Sequence, residues 1–281
     1  MNMKTASLSL LAMIALCGAQ AHADVRGRKF SSDKNCPSDW QMSSAVDIGM
    51  VDYAATGLNT DITVVTDQGG LQKNTFTGPK LSLAQNIAFK SLLNLRLRTS
   101  GAFSLGGANE LLFVPIPSNA YALNGDAYLF FPISINHSGS LKLLPLIGWG
   151  FHQNYGRSIE ADLDDDLSGY FAYRSRAFAP LAGLYLQLKP TERFFLKGGF
   201  SLHFPTFKQK FLDPELESTS YQHLKARRQG MASELEMHYS LSSMTNLTGK
   251  WEYLSLAASG NNASSARIRE VSYTLGVELS Y

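Results

Sequence analysis

The chain has 281 residues, 44% of them hydrophobic, 11% aromatic and 17% charged, with a net charge of +2. That length allows one large domain or two small ones. The small charge leaves no electrostatic footprint for nucleic acid, the aromatics argue against a disordered chain, and a mean hydropathy of −0.09 is too low for a bundle of membrane helices.

Residues 1–23 read as an export signal. Lys4 supplies a positive start, Leu8–Cys17 a short apolar run, and Ala21-His22-Ala23 an A-x-A cleavage site. The apolar run is too short to span a bilayer, and the bulky Leu16 before Cys17 argues against lipoprotein processing. Residues 24–43 follow as a periplasmic segment, either tail or plug. It carries Arg26, Arg28, Lys29 and Cys36, the one cysteine left after cleavage, which can form no internal disulfide.

From residue 44 to Tyr281 the pattern has period two, apolar on one face and polar on the other. The predicted strands are 45–53 and 81–89, both weaker, then Leu93–Arg98, Asp126–Asn136, Pro145–His152, Leu181–Leu188, Phe194–Phe204, Met231–Leu241, Leu247–Leu254 and Glu270–Tyr281. Ten is an even number, as closed bacterial barrels require. Short joins at 89–91, His137–Ser140, Lys189–Arg193 and Ser242–Thr245 alternate with long segments near 58–76, 104–119, 157–173, 208–225 and 258–268. Short turns on the periplasmic side and long loops outside fit a transmembrane antiparallel up-and-down β-barrel with both ends in the periplasm. Aromatics near strand ends (Tyr121, Tyr155, Phe178, Phe194, Tyr239, Tyr253 and Tyr281) suit interfacial girdles. A soluble lipocalin-like barrel or sandwich would alternate as well, with the apolar face inward. The alternation of short and long joins and the final strand ending in Tyr281 favour the membrane form. That strand also resembles the signal by which the barrel-assembly machinery recognises outer-membrane barrels, with Tyr281 in place of the usual Phe or Trp.

The polar faces would line the lumen with Arg96, Arg98, Asp126, Lys197, His203, Glu234, Glu236, His238, Lys250, Glu252 and Glu278. Unpaired buried charges are costly, so Glu234, Glu236 and Glu252 should pair with the basic group across strands. A stiffening network is the plainer reading, a narrow channel the sharper one. Glu234-x-Glu236-x-His238 puts three side chains on one face, but alternating charge suits any lumen strand, and no metal is expected there. Asp162, Asp164, Asp165 and Asp166 could offer oxygens to Ca²⁺, but Leu167 stands where the calcium loop needs glycine, leaving a solvated acidic loop. Near the outer rim, Arg157, Arg174, Arg176, Lys208, Lys210, Lys225, Arg227 and Arg228 suit phosphates. That makes outer-membrane lipid and lipopolysaccharide the expected partners of a monomeric, cofactor-free barrel at the surface of a Gram-negative cell.

Residues 183–199, GLYLQLKPTERFFLKGG, resemble the hairpin between the sixth and seventh strands of the omptin superfamily. Ala127–Phe151 resembles its fourth and fifth strands, and Leu275–Tyr281 its last strand. Chlamydial-type outer-membrane proteins of that superfamily are an equal match. The resemblance implies ten strands and five outer loops. It also implies a surface protease that activates water with acidic residues on the second loop and an Asp-x-His pair on the fourth. Here the second loop holds only Glu110, and the fourth reads Asp213-Pro-Glu215-Leu-Glu217 without that pair, His223 being the nearest histidine. The expectation is a non-enzymatic barrel whose loops bind lipid or a surface partner. An endopeptidase with a rearranged site of Glu110, Asp213 and His223 is the alternative.

Overall fold

The computed structural model describes residues 40–58, 71–89, 92–104, 107–111, 114–161, 168–213, 218–225, 230–259 and 265–281. At 57–58, 71–74, 107–111, 114–119, 157–161, 168–173, 210–213 and 218–225 only the backbone is described. Contacts divide the chain into Met1–Asp39 and Trp40–Tyr281, and every described residue lies in the second unit. The export signal and most of segment 24–43, Cys36 included, therefore lie outside the described residues, as do Asp162–Leu167 and Arg227–Arg228.

Period-two alternation becomes antiparallel strand throughout. Going round the ring, β1 (Trp40–Leu58) pairs β2 (Leu71–Phe89), which pairs β3 (Leu93–Phe103). Then come β5 (Val114–Phe130), β7 (Leu141–Ala161), β8 (Ser168–Leu188) and β9 (Phe194–His203). The ring continues through β12 (Gly230–Ser240), β13 (Thr245–Ser259) and β14 (Ser265–Ser280), and β14 pairs back onto β1. Ten strands thus close with no free edge, the condition lipid imposes. Four shorter strands continue these ladders: β4 (Gly107–Leu111) on β5, β6 (Ile133–Ser134) on β7, and the hairpin of β10 (Thr206–Asp213) and β11 (Ser218–Lys225) on β8.

Two expectations are corrected. The barrel begins at Trp40 rather than residue 44. The long outer segments are largely strand: β7 and β8 run 21 residues each. A tilted strand needs only about 10 residues to cross lipid, so these ladders continue beyond the membrane, where the outward face turns polar and the apolar alternation stops.

Side-chain orientation decides the class of barrel. Ile48, Trp149, Phe178, Phe200 and Leu275 all stand on the outer wall and are exposed, Leu275 at 74%. Asp47, Lys80, Arg96, Glu234, Glu236 and Lys250 point inward and are buried. Side chains also pack the lumen, leaving a cavity of about 170 Å³ lined by Arg96, Lys197, Glu236, His238 and Lys250. Toward the long-loop end Tyr53, Phe76, Phe207, Leu256 and Ile268 form an apolar cluster, and Tyr128, Phe130, Leu144, Leu146, Leu181 and Tyr185 form another beside the charges. Close packing needs glycine at particular points. A Cβ on Gly276 would stand 2.3 Å from the Asp47 carboxylate, and one on Gly199 2.6 Å from the Tyr185 ring.

Candidate functional site

The inward charges form one network across the lumen. On β3, Arg96 binds Glu236 and, at 3.3 Å, Glu234. Two residues on, Arg98 binds Glu252 and donates to Asp126 at 2.9 Å and to the Tyr128 hydroxyl at 3.2 Å. Lys197 on β9 reaches Glu236 at 3.1 Å and lies 4.5 Å from the centre of the Phe130 ring. Lys250 on β13 donates to Asp47. Lys80 on β2 donates to Glu252 at 2.6 Å, Glu270 at 2.7 Å and Ser272 at 2.8 Å. At the short-turn end His238 stacks on Phe195 at 4.0 Å and meets Glu278 at 3.1 Å. Glu278 also accepts from Ser43 and Asn86.

Ten of the eleven lumen residues read from the sequence therefore share this network. His203 is inward but apart, bonded to Ser201 at 2.9 Å, with its ring 6.3 Å from that of His152. Asp47, Lys80 and Glu270 were missed as members. Their signal is the same alternation: Asp47 sits between outward Val46 and Ile48, Lys80 two residues before inward Ser82, and Glu270 opens the polar face of β14. Among the described residues no group of His, Cys, Asp or Glu is arranged to hold a metal. Buried ions paired from five or more strands tie the wall together across the axis.

The residues of the rearranged protease site are spread along the ladders. Asp213 pairs with Ser218 at the far end of the β10–β11 hairpin, whereas His223 pairs with Lys208. Five residues of strand separate the two rungs, about 17 Å. Glu110 sits on β4 opposite Pro115.

Of the rim cations, Arg174, Arg176 and Lys208 have described side chains, and they stand on adjacent strands. On β8, Arg174 and Arg176 share the outward face with Phe178, Leu184 and Leu186. Both donate to the Gln153 side-chain oxygen, at 3.1 and 3.0 Å. Exposed Lys208 pairs in register with Arg176, and Lys210 with Arg174. Arg157 lies on β7 opposite Ala172. The row below is apolar, Phe151 opposite Phe178, and the stacked pair Tyr121–Tyr155, 5.4 Å between centres, stands beside the cluster. Among the described residues no carboxylate pairs with Arg174, Arg176 or Lys208. Arg174, Arg176 and Lys208 thus put positive charge on the outer wall one row above Phe151 and Phe178.

No family model and no curated protein matches the chain. Among solved structures, the outer membrane protease OmpT of Escherichia coli is 13% identical with a TM-score of 0.64, covering 91% of this chain and 99% of that one. The translocator domain of the autotransporter NalP of Neisseria meningitidis is 10% identical with a TM-score of 0.41, covering 95% and 99%. OprG of Pseudomonas aeruginosa is 12% identical with a TM-score of 0.39, covering 86% and 95%. At such identities the likeness is one of fold. The chain has the closed ten-stranded antiparallel β-barrel fold of the outer membrane protease OmpT.

Proposed function

We propose that this barrel is a non-conducting, non-enzymatic anchor of the Gram-negative outer leaflet, holding phosphorylated lipid of the lipopolysaccharide type against Arg174, Arg176 and Lys208. The supporting observation is the cluster itself: three outward cations on adjacent strands, without carboxylate partners among the described residues, one row above outward phenylalanines. Guanidinium groups bind phosphate through charge-assisted bonds about twice as strong as neutral ones. Arg157 and Lys210 continue the cluster along the same strands. Export by a cleaved signal at Ala23 and assembly through the strand ending in Tyr281 belong to the same reading.

The test is lipid retention. Purified wild-type barrel is expected to carry lipopolysaccharide through detergent exchange, and R174Q/R176Q/K208Q to lose most of it while remaining folded. Undiminished retention would remove the proposal. Ion pairs that cross the lumen, such as Arg96–Glu234 and Lys80–Glu252, speak against an open channel, so planar bilayers containing the barrel should stay electrically silent. The fold likeness to a protease keeps endopeptidase activity as the second reading. Lipopolysaccharide-supplemented protein is expected to leave basic peptides intact, and cleavage lost in H223A would establish the enzyme instead.

A further inference from the structure

A second uncovered pair of cations stands on another part of the wall. Arg267 and Arg269 lie on β14, outward and exposed, on the same face as Val271, Tyr273 and Leu275. Their cross-strand neighbours are small. Arg269 is flanked by Ala54 and Ser255, and Arg267 by Thr56 and Ala257. Among the described residues the two guanidiniums therefore rise from a shallow floor, with Asp52 as the one outward acid near them. Tyr253 borders the floor, its ring centre 6.0 Å from the Arg269 guanidinium carbon. Among the described residues neither arginine has a carboxylate partner. The nearest outward acid by register is Asp52, opposite Val271 and bonded by Thr77 at 2.6 Å.

The height of this pair matches that of the first cluster. Leu188 and Tyr281 both stand beside short turns, where Lys189 N–H donates to Ser140 and Ser280 N–H to Met244. Arg176 is the twelfth residue from Leu188 along β8, and Arg269 the twelfth from Tyr281 along β14. On both strands an outward apolar run ends and two arginines at alternate positions begin. Four steps round the ring separate β8 from β14 through β9, β12 and β13, so one headgroup cannot serve both.

We infer that Arg267 and Arg269, with Tyr253, form a second and separate site for a phosphate-bearing lipid headgroup at the outer rim. The inference rests on the proposed orientation, with the long-loop end in the phosphorylated leaflet. It is independent of whether Arg174, Arg176 and Lys208 bind. Asp52 lowers the local charge, so this site is the weaker of the two.

The test counts lipids. Delipidated, folded barrel is titrated with bisphosphorylated lipid A and read by native mass spectrometry, with dephosphorylated lipid A as control. Wild type is expected to bind two molecules with distinct affinities, both phosphate-dependent. R267Q/R269Q should weaken the second by about tenfold, R267K/R269K should largely restore it, and R174Q/R176Q/K208Q should remove only the first. Two-lipid binding of unchanged affinity in R267Q/R269Q would overturn this inference and leave the proposed function standing. Loss of one lipid in R267Q/R269Q but none in R174Q/R176Q/K208Q would do the reverse. Heat-modifiable gel mobility, which reports barrel closure, confirms that each variant is folded.

Discussion

Arg96 sits at the centre of the interior with 4% of its surface exposed, bonded to Glu234 and Glu236. Removing it leaves Glu234 with the Tyr185 hydroxyl at 3.2 Å and a distant Arg98 at 3.7 Å. Breaking a buried pair by deleting one partner typically costs about 3–5 kcal/mol. R96A should therefore unfold at clearly lower urea concentration in micelles, whereas R267Q, on the outer wall, should shift by no more than about 0.5 kcal/mol. Equal stability of the two variants would mean the interior network contributes nothing. Most network residues were legible because charges recurred at alternate positions in strands already strong in apolar residues. Asp47 and Lys80 were not, because their strands carry the faintest alternation: Val51 and Tyr53 are apolar yet inward, and Asp52 is charged yet outward.

A strand is read from sequence by contrast between its two faces, and that contrast exists only inside lipid. From Tyr281 to Val271 the outward positions of β14 are apolar and the inward ones polar or glycine. Above Val271 the outward residues become Arg269, Arg267 and Ser265, while Ile268 and Ala266 turn inward and apolar. The polarity of the two faces exchanges, so the upper ladder looks like loop although every backbone bond continues. The exchange also makes charge tolerance depend on height. Leu275→Arg places a cation near the middle of the apolar belt and should cost about 2–4 kcal/mol, measured by reversible unfolding in lipid vesicles. A cation already stands six residues further along the same face, at Arg269. Tolerance at Leu275 equal to that at the rim would place the lipid band elsewhere.

For the whole molecule, closure comes from the ring in which β14 pairs β1 through rungs from Ser43–Ser280 to Leu58–Ser265, and alternation along that ring turns the apolar side chains outward and the ionic ones inward. The likeness to OmpT extends over 91% of this chain at 13% identity, as expected when architecture is set by alternation and not by particular residues. For the same reason the candidate sites were less legible than the fold. Phosphate contact depends on which rim cations share a row, and that is fixed by register across β7, β8 and β10. The most direct measurement is accessibility along β14. Single cysteines from residue 270 to 279 other than Gly276, in a Cys36→Ser background and carrying nitroxide labels in vesicles, are exposed to oxygen and to a water-soluble nickel chelate. Residues 271, 273, 275, 277 and 279 should collide strongly with oxygen and weakly with nickel, and residues 270, 272, 274 and 278 weakly with both. Uniform accessibility, or oxygen contact on the even positions, would contradict the membrane barrel.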